Sequence, residues 1–262
     1  MSKILVVLPF SANDAILCER MIDLIAIHNE KFPREHCLIV AAPDTHGETQ
    51  TKIRIAAEVA FETVDFLAVP WPKVAYTTKA EAVNHLFYEA AIYAARSCQW
   101  PFLWLEPDCV PLRPKWLEEL TGAYYSQPKR YLGSILASAD GKTKCLSRVA
   151  IYPRGAGGEM KEFLAGKTPF ELSAGEIIVP RAGKTVLIQQ LAFNGTMAPS
   201  VIRDNAVLLH SDKAGILSSA LIDKATQITP DPKPEPILIP VMPEKPIVHV
   251  RGKSKQAATV NG

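Results

Sequence analysis

Phe102-Leu103-Trp104-Leu105-Glu106-Pro107-Asp108-Cys109-Val110-Pro111-Leu112-Arg113-Pro114-Lys115-Trp116-Leu117 opens with an apolar run, halts at an acid-proline-acid triplet and resumes at a Trp-Leu pair. A short apolar run bounded by such punctuation reads as a strand, Phe102–Leu105, covered on both faces in a largely parallel sheet. Pro114 stands where the first turn of a helix over Lys115–Tyr125 would begin. Glu106 and Asp108 stand one residue apart where the strand leaves the sheet, and in extended chain they project to the same side.

Upstream, the same rhythm recurs. Lys3–Phe10 (KILVVLPF) is another continuous apolar run and is expected to be the central strand. Asn13–His28 carries Ile16, Met21, Ile22, Leu24, Ile25 and Ile27 at helical spacing, with Asn13 or Asp14 able to cap it. His36–Ala42 and Asp65–Val69 read as strands, with a helix over Lys52–Phe61 between them. The sharpest helix signal is Thr78-x-x-Glu81, a capping box, followed by Val83, Phe87, Ala90, Ala91 and Ala94 and ending before Gln99-Trp100-Pro101. Alternating strand and helix from residue 3 to about 125 implies a parallel, doubly wound half.

Downstream the pattern loosens. Tyr131–Ala137, Val149–Tyr152 and Ala206–Leu209 read as strands, Glu159–Leu164 and Thr185–Leu191 as short helices, and Arg154–Gly158 as a glycine-rich loop, either a plain turn or one that closes over a ligand. From Thr229 to Pro246 seven prolines exclude regular helix or inner strand, so residues 227–262 read as an extended tail with a basic end. The folded domain is placed at 1–226, with halves at 1–125 and 126–226.

Composition sets outer bounds. A chain of 262 residues, 48% hydrophobic and 21% charged, fits an ordinary globular α/β protein. No apolar run is long enough to span a bilayer and Met1-Ser2-Lys3 leads straight into strand, so the expected location is the cytoplasm. Five cysteines, odd in number and without a C-x-x-C pair, suit reduced buried thiols rather than disulfides or zinc. A net charge of +2 gives no global field by which to infer nucleic-acid binding.

Carboxylates at the carboxyl end of a buried strand occupy the usual ligand crevice of an open α/β sheet. Glu106 and Asp108 suit a hard divalent cation, which would neutralise a diphosphate and stabilise a leaving group; alone, such a pair would serve equally to cap the next helix. In context, Phe102–Leu117 resembles the D-x-D region of GT-A glycosyltransferases, with Glu106 where the commoner residue is Asp. The resemblance implies a Rossmann-like mixed central sheet flanked by helices, a nucleotide-sugar donor (a UDP-sugar first) and Mn²⁺ or Mg²⁺. It assigns Leu8-Pro9-Phe10 and Asp14, with Asp44 after the second strand, to the nucleoside; a helix cap and a turn are the competing roles of the two acids. Lys79 and Asn84 would approach the donor, although a solvated helix face explains Lys79 too.

His210-Ser-Asp-Lys213-Ala-Gly215 resembles the C-terminal His-x-x-Lys-x-Gly element of that family, with His210 as third metal ligand and Lys213 on the diphosphate. Glu171 or Glu176 is expected to take the acceptor's proton if the reaction inverts, each being otherwise a surface charge. Sugar nucleotidyltransferases share such a fold, but Ser11-Ala-Asn-Asp14 lacks their glycine-rich basic loop. The compact size resembles small bacteriophage glycosyltransferases, some of which decorate hydroxymethylated DNA bases; Lys129, Arg130, Lys142, Lys144, Arg148, Arg154 and Lys161 would then meet phosphates, and the location would be the host cytoplasm. A glycan or protein acceptor and a non-catalytic GT-A-like binding module remain as alternatives.

Overall fold

The computed structural model of the chain describes residues 3–28, 32–72, 75–137, 142–190, 202–210, 212–213 and 215–228. Strand β1 (Leu5–Phe10) is buried at every position, and its two faces serve two cores. Val6, Leu8 and Phe10 pack with Met21, Ile22 and Ile25 of α1 (Ala15–His28) and Ile53 of α2 (Gly47–Ala60). Leu5 and Val7 pack instead with Phe87, Ala90 and Ala94 of α3 (Lys79–Ser97). A strand covered on both sides needs no polar face, which is why its sequence is continuously apolar. Each Val, Leu or Phe buried in this way contributes roughly 1.5–3 kcal/mol.

Strands β2 (Phe32–Ala41) and β4 (Phe102–Trp104) flank β1 in parallel, with His36 and Phe102 on either side of Leu5. Outside β2 lies β3 (Phe61–Ala68), also parallel. Beyond β4 the sense changes: β7 (Lys144–Tyr152) is antiparallel to β4 and to β6 (Tyr131–Ala137), and β8 (Ala182–Lys184) is parallel to β6. The resulting mixed sheet has the order β3-β2-β1-β4-β7-β6-β8. A second sheet has β10 (Leu208–His210) between β5 (Cys109–Pro111) and β9 (Ile188–Gln190). The remaining helices are α4 (Trp116–Tyr125), the single turns α5 (Ala156–Glu159), α6 (Lys161–Leu164), α7 (Phe170–Ser173) and α8 (Gly175–Ile178), and α9 (Ile216–Ile228).

Most expected elements are present with shifted ends. The capping box forms: Thr78 Oγ1 accepts from Glu81 N at 3.2 Å and Glu81 Oε2 accepts from Thr78 N at 2.9 Å. All five cysteines are free and buried. Lys115 adopts φ 61°, so α4 starts after it and Pro114 lies outside the helix rather than in its first turn.

Two local expectations are corrected. The helix expected over Thr185–Leu191 is strand β9 from Ile188 to Gln190, because the parallel partner β10 satisfies its backbone and Ile188 and Gln189 are buried. The loop expected at Arg154–Gly158 runs into α5, whose Ala156 and Gly157 are buried; a Cβ on Gly157 would stand 3.0 Å from Ala91 Cβ, so this glycine serves close packing on α3 rather than mobility. The proline-rich stretch lies outside the described residues.

Glycines of opposite kind give a test of this packing. A Cβ on Gly175 would lie 2.4 Å from Lys144 O, whereas one on Gly122, exposed inside α4, meets nothing within 4 Å. Gly175→Ala is expected to destabilise the protein by about 2 kcal/mol or more through overpacking, and Gly122→Ala to stabilise it by about 0.5–1 kcal/mol through helix propensity. Urea denaturation of both variants checks the pair, and equal midpoints would contradict the packing of α8 on β7.

Candidate active site

The carboxyl ends of β1, β2 and β4 open on a cleft of about 580 Å³. It sits where the strand order turns back between β1 and β4, the position at which open α/β sheets bind ligands. Pro9, Phe10 and Asp14 line it from beyond β1, Asp44 from beyond β2, Lys79 from α3, and Glu106 and Asp108 from beyond β4. Lys213 joins them from the turn before α9. Asp44 Oδ1 accepts from Ala12 N at 3.4 Å and Asp14 Oδ2 from Ser11 Oγ at 2.7 Å, so both acids also brace the turn after β1.

The small sheet completes the acidic end of the cleft. Antiparallel pairing sets His210 opposite Cys109, directly after Asp108. His210 Nε2 consequently lies 2.9 Å from Glu106 Oε2, across 104 positions of sequence, and 3.3 Å from Asp108 Oδ1. Parallel pairing on the other side sets Gln190 opposite His210, and Gln190 Oε1 accepts from His210 Nδ1 and from Ser147 Oγ, the latter at 3.0 Å. In the neutral ring a donating Nδ1 leaves the lone pair on Nε2, facing the carboxylates.

Ligand atoms of Glu106, Asp108 and His210 all lie within 4.8 Å of one another. Two carboxylates and an imidazole form a donor set suited to a first-row divalent ion such as Mn²⁺. Burial pushes Glu106 upward, but the His210 hydrogen bond and the Arg148 guanidinium outweigh it and hold the carboxyl at about 2. For His210 burial acts downward, and the Asp108 and Glu106 carboxylates overcome it to raise the imidazole to about 9. The carboxylates therefore hold a proton on Nε2 in the space where a cation would be held.

Beside this cluster is a smaller chamber of about 140 Å³, sharing Glu106, Asp108, Arg148 and Lys213 with the cleft. Arg148 of β7 reaches Glu106 Oε1 through Nη1 at 3.2 Å and Glu171 Oε1 through Nε at 2.9 Å. Glu171 Oε2 is buried without a hydrogen-bond partner among the described residues. Its carboxyl is raised by burial, with Arg148 opposing that shift.

No protein-family model matches the chain, and no curated protein does. Solved structures do. The galactosyltransferase LgtC, in complex with donor and acceptor sugar analogues, aligns with a TM-score of 0.51 at 10% identity over 88% of this chain and 98% of that one. An active-site mutant of LgtC gives a TM-score of 0.54 at 8% identity over the same shares. The fold is that of the GT-A glycosyltransferases. The glycosyltransferase GlyE of Streptococcus pneumoniae TIGR4 aligns at a TM-score of 0.50 and 10% identity over 71% of this chain, which spans 46% of GlyE.

On this GT-A frame Glu106, Asp108, His210, Lys213 and Glu171 come together, and Pro9, Phe10, Asp14, Asp44 and Lys79 line the same cleft. Two expected site residues do not join them. Asn84 is buried and lines neither cavity: its Nδ2 donates to Gly166 O at 3.0 Å and Thr168 O at 2.9 Å, and its Oδ1 accepts from Phe170 N at 3.1 Å. It thereby fixes the chain that leads into Glu171, helped by Phe170 packing 4.3 Å from Phe87. Glu176 is exposed on α8, outside both cavities, because its turn is anchored by Gly175 and Ile178 on the opposite face.

Arg148, Arg130, Arg154 and Lys129, all expected to meet phosphates, have protein partners. Arg148 is in the site; Arg130 pairs with Glu159 at 2.5 Å, Arg154 donates to Ala95 O and Lys129 to Pro180 O. Sequence reasoning missed Gln190, hidden in a misread helix, and the place of Arg148 between Glu106 and Glu171, since it groups with the cations expected to meet phosphates.

Two measurements follow from this geometry. Asn84→Asp removes both donors to the partly buried carbonyls of 166 and 168 and sets a carboxylate in a buried position, so a loss of about 2 kcal/mol in urea denaturation is expected. In divalent-free buffer the stability contributed by His210, whose ordinary value is 6.5, is complete below that pH and is lost as pH rises through about 9. The urea midpoint should fall over that interval, and less so in Asp108→Asn.

Proposed function

We propose that the chain is a glycosyltransferase that moves a sugar from a nucleoside diphosphate sugar, a UDP-sugar first, to a hydroxyl acceptor. The observation that carries the reading is the convergence of Glu106, Asp108 and His210 at the β1–β4 crevice, with Lys213 beside them. Glu106, Asp108 and His210 would hold Mn²⁺ or Mg²⁺, which when bound neutralises diphosphate charge and stabilises the leaving group. Lys213 supplies a point charge for the same diphosphate. Asp14 and Asp44 offer acceptors to ribose hydroxyls or base amide groups, and Lys79 meets the donor from α3.

The acceptor approaches from the chamber. There its hydroxyl donates to Glu171 Oε2, a buried oxygen without a hydrogen-bond partner among the described residues. In the transfer, the acceptor oxygen bonds to the anomeric carbon, the bond from that carbon to the diphosphate oxygen breaks, the nucleoside diphosphate leaves with the electron pair, and the proton passes to Glu171.

Among the described residues that line the chamber Leu136 alone has an apolar side chain and none is Phe, Tyr or Trp, which favours a hydroxyl-rich acceptor over a planar base. The hydroxymethylated pyrimidine in DNA gains no support from the basic residues, four of which are already paired. Among the described residues no helix is long and apolar enough to cross a membrane.

Incubation with a panel of nucleotide sugars, with and without Mn²⁺, is expected to release nucleoside diphosphate only with the metal. Asp108→Ala and His210→Ala should each lower turnover on the order of 100-fold, a size typical of one lost charge-stabilising contact. Full turnover by both variants would remove the site assignment, and donor binding without turnover by the wild type would make the chain a binding module.

A further inference from the structure

Arg148 occupies a place that neither the cation cluster nor the acceptor base accounts for. It lines both cavities, and its guanidinium is shared between carboxylates that face different ligands. We propose that Arg148 is a positioning residue that dedicates one oxygen of each carboxylate, engaging Oε1 of Glu106 and Oε1 of Glu171 so that Oε2 of Glu106 faces the cation cluster and Oε2 of Glu171 faces the acceptor chamber. This inference rests on the transferase reading above.

The geometry supports it at each contact. Glu106 is held at both ends, by Arg148 on Oε1 and His210 on Oε2, which fixes the plane of its carboxylate. Glu171 is held at one end only, and the held oxygen is the one turned to Arg148. A guanidinium presents several donors in a rigid planar fork, so Nε and Nη1 address two carboxylates at once, whereas an ammonium is a single compact charge on a flexible stem. The backbone that carries the fork is anchored: Tyr152 OH donates to the Arg148 carbonyl at 3.0 Å, and Tyr152 is buried against Phe87 and Phe102. Three carboxylates within one small volume also repel, and Arg148 is the cation that separates Glu106 from Glu171.

Five proteins decide the matter: wild type, Arg148→Lys, Arg148→Ala, Glu171→Gln and the Arg148→Lys/Glu171→Gln double variant, each first checked for a cooperative thermal unfolding transition. Mn²⁺ affinity, measured by electron paramagnetic resonance, is expected to weaken about tenfold in both Arg148 variants and to stay unchanged in Glu171→Gln. Turnover is expected to fall on the order of 100-fold in Arg148→Lys, mainly in kcat, as for a misplaced reacting group. In the Arg148→Lys/Glu171→Gln double variant the losses should not add. Millimolar guanidinium, but not sodium chloride, should restore at least tenfold of the activity lost in Arg148→Ala.

Wild-type Mn²⁺ affinity and turnover in Arg148→Lys would overturn the proposal, as would additive losses or rescue by neither ion. If Arg148→Ala does not fold, the Lys variant and the double variant still decide. A wild-type protein that binds Mn²⁺ yet turns over no donor sinks the transferase reading instead, and the Mn²⁺ affinities alone then judge Arg148.

Discussion

Three backbone pairs, Cys109 with His210, Val110 with Leu209 and Pro111 with Leu208, carry the site. The large sheet by itself delivers Glu106 and Asp108 to the crevice but has no means of delivering an imidazole. The antiparallel ladder does so by register, since any slip by one residue would turn His210 to the opposite face. Val110 and Leu209 are buried together with Leu24 of α1, which pins the ladder to the first helix. Asp212 N donates to Asp108 O at 2.9 Å and extends the contact past the histidine. Position in the small sheet also brings Gln190 to the imidazole from the other side, so one three-stranded element sets both the place and the tautomer of His210.

Charge is balanced tightly around this ladder. Glu106, Asp108 and Glu171 are mostly withdrawn from water, at 15%, 13% and 14% side-chain exposure, a costly arrangement for unpaired carboxylates. Arg148 and His210 make it tolerable, the first with a permanent charge and the second with one it gives up at higher pH.

The sequence was most legible where local chemistry dominates. The β1 run, the capping box at Thr78 and Glu81, and the Glu106-x-Asp108 break announced themselves because burial on both faces, an N-cap and a strand end each demand particular residue types in fixed order. His210 was recognised only through its likeness to a family element, since nothing in residues 206–215 alone points to a partner near 108. Gln190 was lost because a short apolar run over 185–191 fits helix and buried strand equally, and the deciding partner, β10, lies elsewhere in the chain. Asn84 was misplaced for a related reason: helical spacing says which residues share a face, but not that the face meets the backbone of 166–170. Arg148 reads as one of several phosphate-facing cations because its two carboxylate partners are distant in sequence.

The ladder between β5 and β10 also orders events during synthesis. The strands that shape the cleft at the crevice, β1 through β4, leave the ribosome with the first 104 residues, whereas the histidine waits for the chain to reach 210. Until then Glu106 and Asp108 stand as a half-built pair of like charges, and β5 has no partner across which to zip. Such long-range closure is slow to form. A nascent chain thus acquires the hollow at the β1–β4 crevice well before the acidic cluster is complete, and any truncation before 208 would yield a protein with the cleft's outline but without the imidazole beside Glu106 and Asp108.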